Sequence, residues 1–256
     1  MKFAVFTKTD KDVSKEVNSV LKECDRYGFI KDEDNPEIVF VLGGDGTFLK
    51  AIHHYVDKLE SIKFIGFRCG TLGFFYDYSK DDIPVVIKNI LDEKYIVKSH
   101  NLLEFLAGDK IIYAVNEIGV AHTFHSLECL VKINGEAFEQ YNGNGLLVSS
   151  PLGSTGYNKS LGGAIISHDL ETIQLTEISS IHNNLYNSLG SSLILGKDSI
   201  ITFEGDFKGA KIGYDHWSYN CDDEKIIEIK YSDRKVSIIH GADYNYLNPV
   251  KRSFIK

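Results

Sequence analysis

Basic charge, paired cysteines and long apolar runs are what this 256-residue sequence lacks. Lys and Arg number 28 against 36 Asp and Glu, a formal charge of -8. Nucleic acids and anionic membranes attract basic stripes, so this balance argues against both as partners, and any phosphate site must be built locally. The four cysteines, Cys24, Cys69, Cys129 and Cys221, are scattered with no CxxC pair. That excludes a disulfide framework or a cysteine-rich zinc site as the organising feature and fits a reducing cytosol. No apolar run approaches the length of a membrane span, and the opening "MKFAVFTKTD" turns polar after six residues, too short for a signal-peptide core. The expected protein is soluble and cytoplasmic. Histidine offers little as a metal source: His53 and His54 are adjacent, His122 and His125 lie three apart in a β-like region, and no HExxH occurs. No metal ligand is assigned.

What is present is globular composition, with 43% apolar and 25% charged residues. "KFAVFT" (2–7) reads as a strand and Asp10 to Tyr27 as a helix, with Val13, Val17, Val20 and Leu21 at helical spacing. "EIVFVL" and "IKFIGF" (62–67) read as further buried strands, and "KDDIPVVIKNILDEK" (80–94) as a helix with Pro84 in its opening turn. Strands alternating with helices predict a parallel α/β layer. From about Tyr95 the texture changes to short strands and turns. Asn134-Gly135 predicts a hairpin within 127–141, and "EKIIEIKY" with "KVSIIH" (224–231, 235–240) predicts another around "SDR". No low-complexity linker or internal repeat marks the boundary near residue 100.

The stretch "VFVLGGDGTFLKAI" (39–52) reads as strand, glycine turn, helix. Gly43, Gly44, Gly46 and Thr47 form a turn of the kind that holds phosphate, although an ordinary strand-to-helix turn also fits. A Walker loop needs a closing Lys-Ser/Thr pair, which is missing. A dinucleotide fingerprint needs a third glycine where Leu49 stands. Asp45 is the anomaly, because a carboxylate repels a triphosphate unless magnesium intervenes or a substrate hydroxyl gives it a proton. The loop therefore suits a phosphoryl donor, with Asp45 taking the acceptor's proton.

Three other segments carry polar chemistry. "IGFRCGTLGFF" (65–75) ends a strand in Gly66, Gly70 and Gly73 before Phe74 and Phe75; it offers a flat ligand an approach, but a turn with two core rings is the reading favoured for any one of them. "AVNEIGV" (114–120) places Asn116 and Glu117 side by side, fit for a ribose diol or an adenine edge, or simply for a strand-end turn. "YNGNGLLVSSPLGSTGYNKSLGG" (141–163) runs from a strand into Pro151, after which Ser154 or Thr155 can cap a helix whose first turn holds Tyr157, Asn158, Lys159 and Ser160. His216 in "YDHWSY" is a further candidate, with a surface or packed role the alternative.

In this order, from "GGDGT" to "GSTGYNKSLGG", these motifs resemble the NAD kinases over most of the chain, although "GGDG" alone is shared with lipid kinases and phosphofructokinases. The resemblance implies an α/β N-terminal domain with a parallel sheet (1–99), a β-rich, β-sandwich-like C-terminal domain (100–241), an active site between them and a returning tail (242–256). It implies ATP and a divalent metal, Mg2+, and homo-oligomers, often tetramers, in which a neighbouring subunit contributes to the site. Asp45 matches the catalytic aspartate and Gly46 its neighbour at the ligand. Phe74 matches the aromatic of "LGF", and Asn116 and Glu117 the adenosine-contacting "NE" pair. Thr155, Gly156, Tyr157, Asn158, Lys159 and Ser160 fall in the segment lining the dinucleotide pocket. The chain departs from the pattern where Asn144 replaces an acid, Asn142 stands where some relatives carry arginine, and Gly156 replaces alanine. The expected reaction is phosphorylation of the adenosine-ribose 2′-hydroxyl of NAD by ATP. The rivals are a diacylglycerol-type lipid kinase and a silent dinucleotide sensor.

Overall fold

The structure, a computed structural model, describes residues 1–7, 12–70, 73–181 and 188–255. The chain divides into two compact units, Met1–His100 with Arg234–Lys256, and Asn101–Asp233.

In the first unit the strands Ile30–Lys31, Lys2–Phe6, Ile38–Gly43 and Lys63–Arg68 lie side by side in that order, all parallel. Every residue of Ile38–Gly43 is buried, as an apolar run must be when both faces of a parallel sheet are covered. Helices Ser14–Arg26 and Ile83–Leu91 supply apolar stripes to a core with Phe3, Val20, Phe40, Phe67 and Ile87. The first helix starts at Ser14, inside the expected Asp10 to Tyr27, because the Asp12 carboxylate accepts Ser14 N–H (3.0 Å) and Oγ–H (2.6 Å) and so fixes the entry. Asp10 and Lys11 lie outside the described residues. The expected helix over 80–94 is shorter too. A reciprocal Ser79–Asp82 cap opens a short 3-10 turn, Lys80–Asp82, ahead of Ile83–Leu91.

In the second unit a six-stranded antiparallel sheet runs Leu193–Gly196, Thr172–Ile178, Gly145–Ser149, Glu117–Ala121, Lys211–Tyr214, Trp217–Asn220. A second antiparallel set joins Glu136–Gly143, Leu127–Ile133, Ile201–Gly205 and residues 226–229. Val120, Leu146, Val148 and Leu175 of one sheet share a single core with Val131, Tyr141, Phe203 and Ile227 of the other, which is sandwich packing. The hairpin at Asn134-Gly135 forms, with both residues at positive φ (53° and 83°), the conformation a two-residue hairpin turn requires.

The second expected hairpin does not form. Ile226–His240 is one strand of 15 residues. Its buried positions pass from Ile227 and Ile229 to Ser232, Val236 and Ile238. "SDR" therefore marks a change of phase within one strand rather than a reversal. Ser237 and Ile238 pair in parallel with Lys63 and Phe64, so the chain rejoins the first unit at Arg234, earlier than the expected 242.

Candidate active site

Asp45 is the first residue of helix Asp45–His54, reached from the buried strand through Gly44, whose φ of -121° and ψ of 177° are extended. A side chain at Gly43 would fall 2.4 Å from Thr47 Oγ1, whereas Gly44 and Gly46 face nothing within 4 Å. Gly43 thus serves packing, while Gly44 and Gly46 leave backbone open at a helix N-terminus, where N–H groups favour an anion. Buried Thr47 closes the turn, its N–H donating to Gly44 O at 2.7 Å. The Asp45 carboxylate accepts Phe74 N–H at 3.0 Å on each oxygen and Phe75 N–H at 3.2 Å on Oδ1. Burial pushes its pKa above the ordinary carboxylate value, and the two amides only partly offset this.

The loop that carries those amides is held by contacts invisible in local sequence. Tyr76 donates its hydroxyl to Gly44 O at 2.8 Å, and its ring occupies the space a Cβ at Gly66 would need, at 2.5 Å. A Cβ at Gly73 would meet Tyr76 at 2.8 Å and Asp45 Oδ1 at 3.0 Å. These two glycines admit protein side chains, as the alternative of a turn with core rings has it, and not a flat ligand. Thr71 and Leu72 of the same segment lie outside the described residues. Phe75 stacks on Phe48 with centroids 4.9 Å apart, which makes it a core ring. Phe74 stacks on Phe254 of the terminal helix Leu247–Phe254 at 5.5 Å.

In the second unit Asn116 and Glu117 sit at one end of the strand Glu117–Ala121, opposite Ser149. Asp215, at φ 50°, accepts Asn116 N–H at 2.7 Å and Val115 N–H at 2.9 Å, which sets the turn. Ser150 Oγ donates to Val115 O at 2.7 Å, and Gly153 packs so tightly on Asn116 that a Cβ would lie 2.2 Å from its carbonyl oxygen. The 150–156 turn is thereby folded onto the Asn116–Glu117 pair. Asn116 Oδ1 and Glu117 Oε2 are both buried without a hydrogen-bond partner among the described residues, a costly state that a ligand donor would relieve. Burial, then the nearby Asp215 charge, pushes the Glu117 carboxyl up to about 8, so at neutral pH it is chiefly protonated and can donate as well as accept. An alanine at Gly156 would sit 3.3 Å from Gly153 O and 3.7 Å from Glu117 Oε2, so the departure there changes little space.

Other expected site residues take different roles. Neither Ser154 nor Thr155 caps the short helix Tyr157–Ser160, whose N-cap is Gly156. Ser154 Oγ instead donates to Pro151 O at 2.7 Å and accepts Ile166 N–H at 3.0 Å. Asn158, expected at the ligand, is fully buried, its amide donating to Ser154 O and Ala164 O and its oxygen accepting from Thr176 Oγ1 at 2.8 Å. It is a structural clamp. Thr155 is buried, while Tyr157, Lys159 and Ser160 are exposed on the same turn. Asn142 is buried and donates to Glu128 Oε1 at 3.1 Å; Asn144 is exposed. Both lie toward the Gly145 end of the strand, which pairs with Ala121, and not the Ser149 end beside Glu117. At about 3.3 Å per residue that separates Asn144 from Glu117 by roughly 15 Å along the sheet. His216 is exposed beside Asp215, its ring 3.5 Å from that of Trp217. Among the described residues no cluster of three His, Cys, Asp or Glu could hold a metal ion, and no helix is long and apolar enough to cross a membrane.

Comparison with known proteins adds a second line of observation. The ATP-NAD kinase N-terminal domain matches residues 4–95, and the ATP-NAD kinase C-terminal domain matches residues 114–240. NAD kinase 1 of Oceanobacillus iheyensis is 35% identical over 264 aligned residues, covering 100% of this chain and 98% of the relative. The NAD kinase of Streptococcus pneumoniae is 36% identical over 239 residues, covering 90% and 87%. Among solved structures, an NAD kinase from Archaeoglobus fulgidus in complex with ATP has a TM-score of 0.83 at 20% identity, over 98% of this chain and 99% of that one. Yeast NADH kinase complexed with NADH has a TM-score of 0.83 at 17% identity, over 98% of this chain and 86% of that one. At these identities the structural likeness speaks for the fold alone.

Proposed function

The chain belongs to the ATP-NAD kinase family, and on that footing we propose that Asp45 is the general base of its reaction. The reaction is the ATP-dependent phosphorylation of NAD to NADP. Asp45 takes the proton of the adenosine-ribose 2′-hydroxyl as that oxygen bonds to the γ-phosphorus, the bond to the β–γ bridging oxygen breaks, and ADP leaves. The observation that carries this reading is the Asp45 carboxylate itself. It stands at the mouth of an open glycine turn, is oriented by the Phe74 and Phe75 amides, and is held by burial above its ordinary pKa. A base so shifted is better matched to a neutral reaction than a solvated aspartate. Gly44, Gly46 and the start of the helix receive the donor's phosphates.

Asn116 and Glu117 take the polar edges of the adenosine, which supplies the partners that Asn116 Oδ1 and Glu117 Oε2 lack among the described residues. Thr155 and Tyr157 line the same pocket from the turn folded onto that pair. Magnesium would arrive with ATP, held by its phosphates and water, where it neutralises the donor's charge. The protein works as a homo-oligomer in the cytoplasm. The distance along the sheet between Asn144 and Glu117 supports a neighbouring copy as the source of the Asn142–Asn144 contribution to a given site. A coupled assay offering ATP and magnesium with NAD, NADH or a diacylglycerol tests the reading. NADP formation is expected; phosphorylation of the lipid alone, or no product, would overturn it.

A further inference from the structure

Two arginines approach the Asp45 loop from different elements of the first unit. Arg68 ends the strand Lys63–Arg68 in register with Gly43, the residue that opens the glycine turn, and the next residue, Cys69, donates its N–H to Gly43 O at 3.1 Å. The Arg68 backbone pairs with Gly43 and Ser79 in the sheet, but among the described residues its half-buried side chain makes no hydrogen bond or ion pair. Arg252 comes from the terminal helix. Its Nη2 donates to Gly73 O at 3.4 Å, a long bond to the residue just before Phe74, whose N–H holds Asp45 at 3.0 Å. Phe254 of the same helix stacks on Phe74. Arg252 is largely exposed; the little burial it has, then the charge of Arg68, lowers the pKa of its guanidinium, with Asp77 acting in the opposite sense. Asp77 carries one negative charge and cannot neutralise two cations, and its Oδ2 also lies 2.7 Å from His240 Nδ1.

We propose that Arg68 and Arg252 form a two-guanidinium clamp for the terminal phosphates of the ATP donor, so that the C-terminal helix is part of the donor site. This rests on the reading of the Asp45 loop as a phosphoryl-transfer site. Guanidinium forks bond phosphate oxygens two at a time, and neighbouring cations that repel one another in the free protein are relieved when a polyanion enters between them. The clamp also answers how an acidic chain attracts a triphosphate to a loop that carries a carboxylate.

The test uses the full chain with Arg68→Gln, Arg252→Gln and Arg68→Lys, measuring KM for ATP, KM for NAD and kcat, and titrating inorganic tripolyphosphate by calorimetry. Each glutamine variant should weaken tripolyphosphate binding and raise KM for ATP roughly tenfold or more, with KM for NAD little changed. Arg68→Lys should recover part of the loss. Arg68→Gln is the cleaner probe, because among the described residues the Arg68 side chain makes no hydrogen bond whose loss would disturb the fold. Unchanged tripolyphosphate affinity in Arg68→Gln overturns the clamp even if NADP is still made. Absence of NADP formation by the natural chain that nevertheless binds tripolyphosphate through these arginines would overturn the kinase reading and leave the clamp standing.

Discussion

Glu117→Gln should make the protein more stable relative to the natural chain as pH rises. The Glu117 carboxyl is pushed from 4.5 to about 8 by burial and then by Asp215, so the folded state prefers its protonated form. Below pH 4.5 the group is neutral in folded and unfolded chains alike, and it costs nothing. Between 4.5 and 8 the unfolded chain ionises while the folded one resists, so stability drains away as pH rises. At about 1.36 kcal/mol per pH unit, the full shift corresponds to at most about 4–5 kcal/mol above pH 8. Glutamine has the same shape and no titration, so it removes this slope. For a chain of this size about 1 kcal/mol moves Tm by roughly 2–4 °C, so the Tm difference between variant and natural chain should widen by on the order of 10 °C from pH 5 to pH 8.5. Differential scanning calorimetry of both proteins across that range is the assay, and all other titrating groups cancel in the difference. A gap that stays constant with pH would refute the raised pKa. It would also refute the view that Glu117 meets adenosine as a neutral donor and acceptor. At pH 7 the substitution should change NAD affinity by less than about threefold, because one neutral group replaces another.

Asn116→Ala should cost about 1–3 kcal/mol in NAD binding by titration calorimetry, since it strips the partner from a desolvated ligand group; unchanged affinity would remove Asn116 from the adenosine pocket. Gly66→Ala places a Cβ 2.5 Å from the Tyr76 ring. It should cost about 1–3 kcal/mol of stability as overpacking and lower kcat by pulling the Tyr76 hydroxyl from Gly44 O, whereas an unaltered Tm would show that the ring moves freely. Asn144→Asp, at an exposed position, should leave Tm alone and change KM for NAD more than kcat. Activity that appears only with aspartate would mean that the natural chain is a dinucleotide sensor.

The parts of the fold legible in sequence are those written in local pattern. The buried strand 38–43, its glycine turn and the Asn134-Gly135 hairpin each follow from a run of apolar residues or from a turn dipeptide. The Asn116–Glu117 pair was visible because two adjacent polar side chains interrupt apolar stretches. What escaped depends on contacts distant in sequence. Tyr76 matters through Gly44 and Gly66, Asp215 through Val115 and Asn116, and Arg252 with Phe254 through Gly73 and Phe74. Asp215 left one trace, a charged residue between a tyrosine and a histidine where the chain must reverse between paired strands. "SDR" misled because a polar triplet between alternating segments looks the same whether a strand turns or only shifts phase. Asn158 misled because its neighbours are exposed and polar, while its own amide closes the turn from inside.

The pH profile of NAD phosphorylation, measured for the natural chain and for Asp45→Asn, tests the role of Asp45 most directly. The Asp45 pKa is raised, so its basic form grows as pH rises through a value above the ordinary carboxylate range, and kcat/KM should climb along an acid limb placed there. Asparagine keeps an oxygen for the Phe74 and Phe75 amides but cannot take a proton. Turnover should therefore fall by roughly 10²-fold or more and the limb should vanish, while NAD affinity survives. Near-normal turnover in Asp45→Asn, or an acid limb unchanged by the substitution, would contradict the assignment of Asp45 as the base.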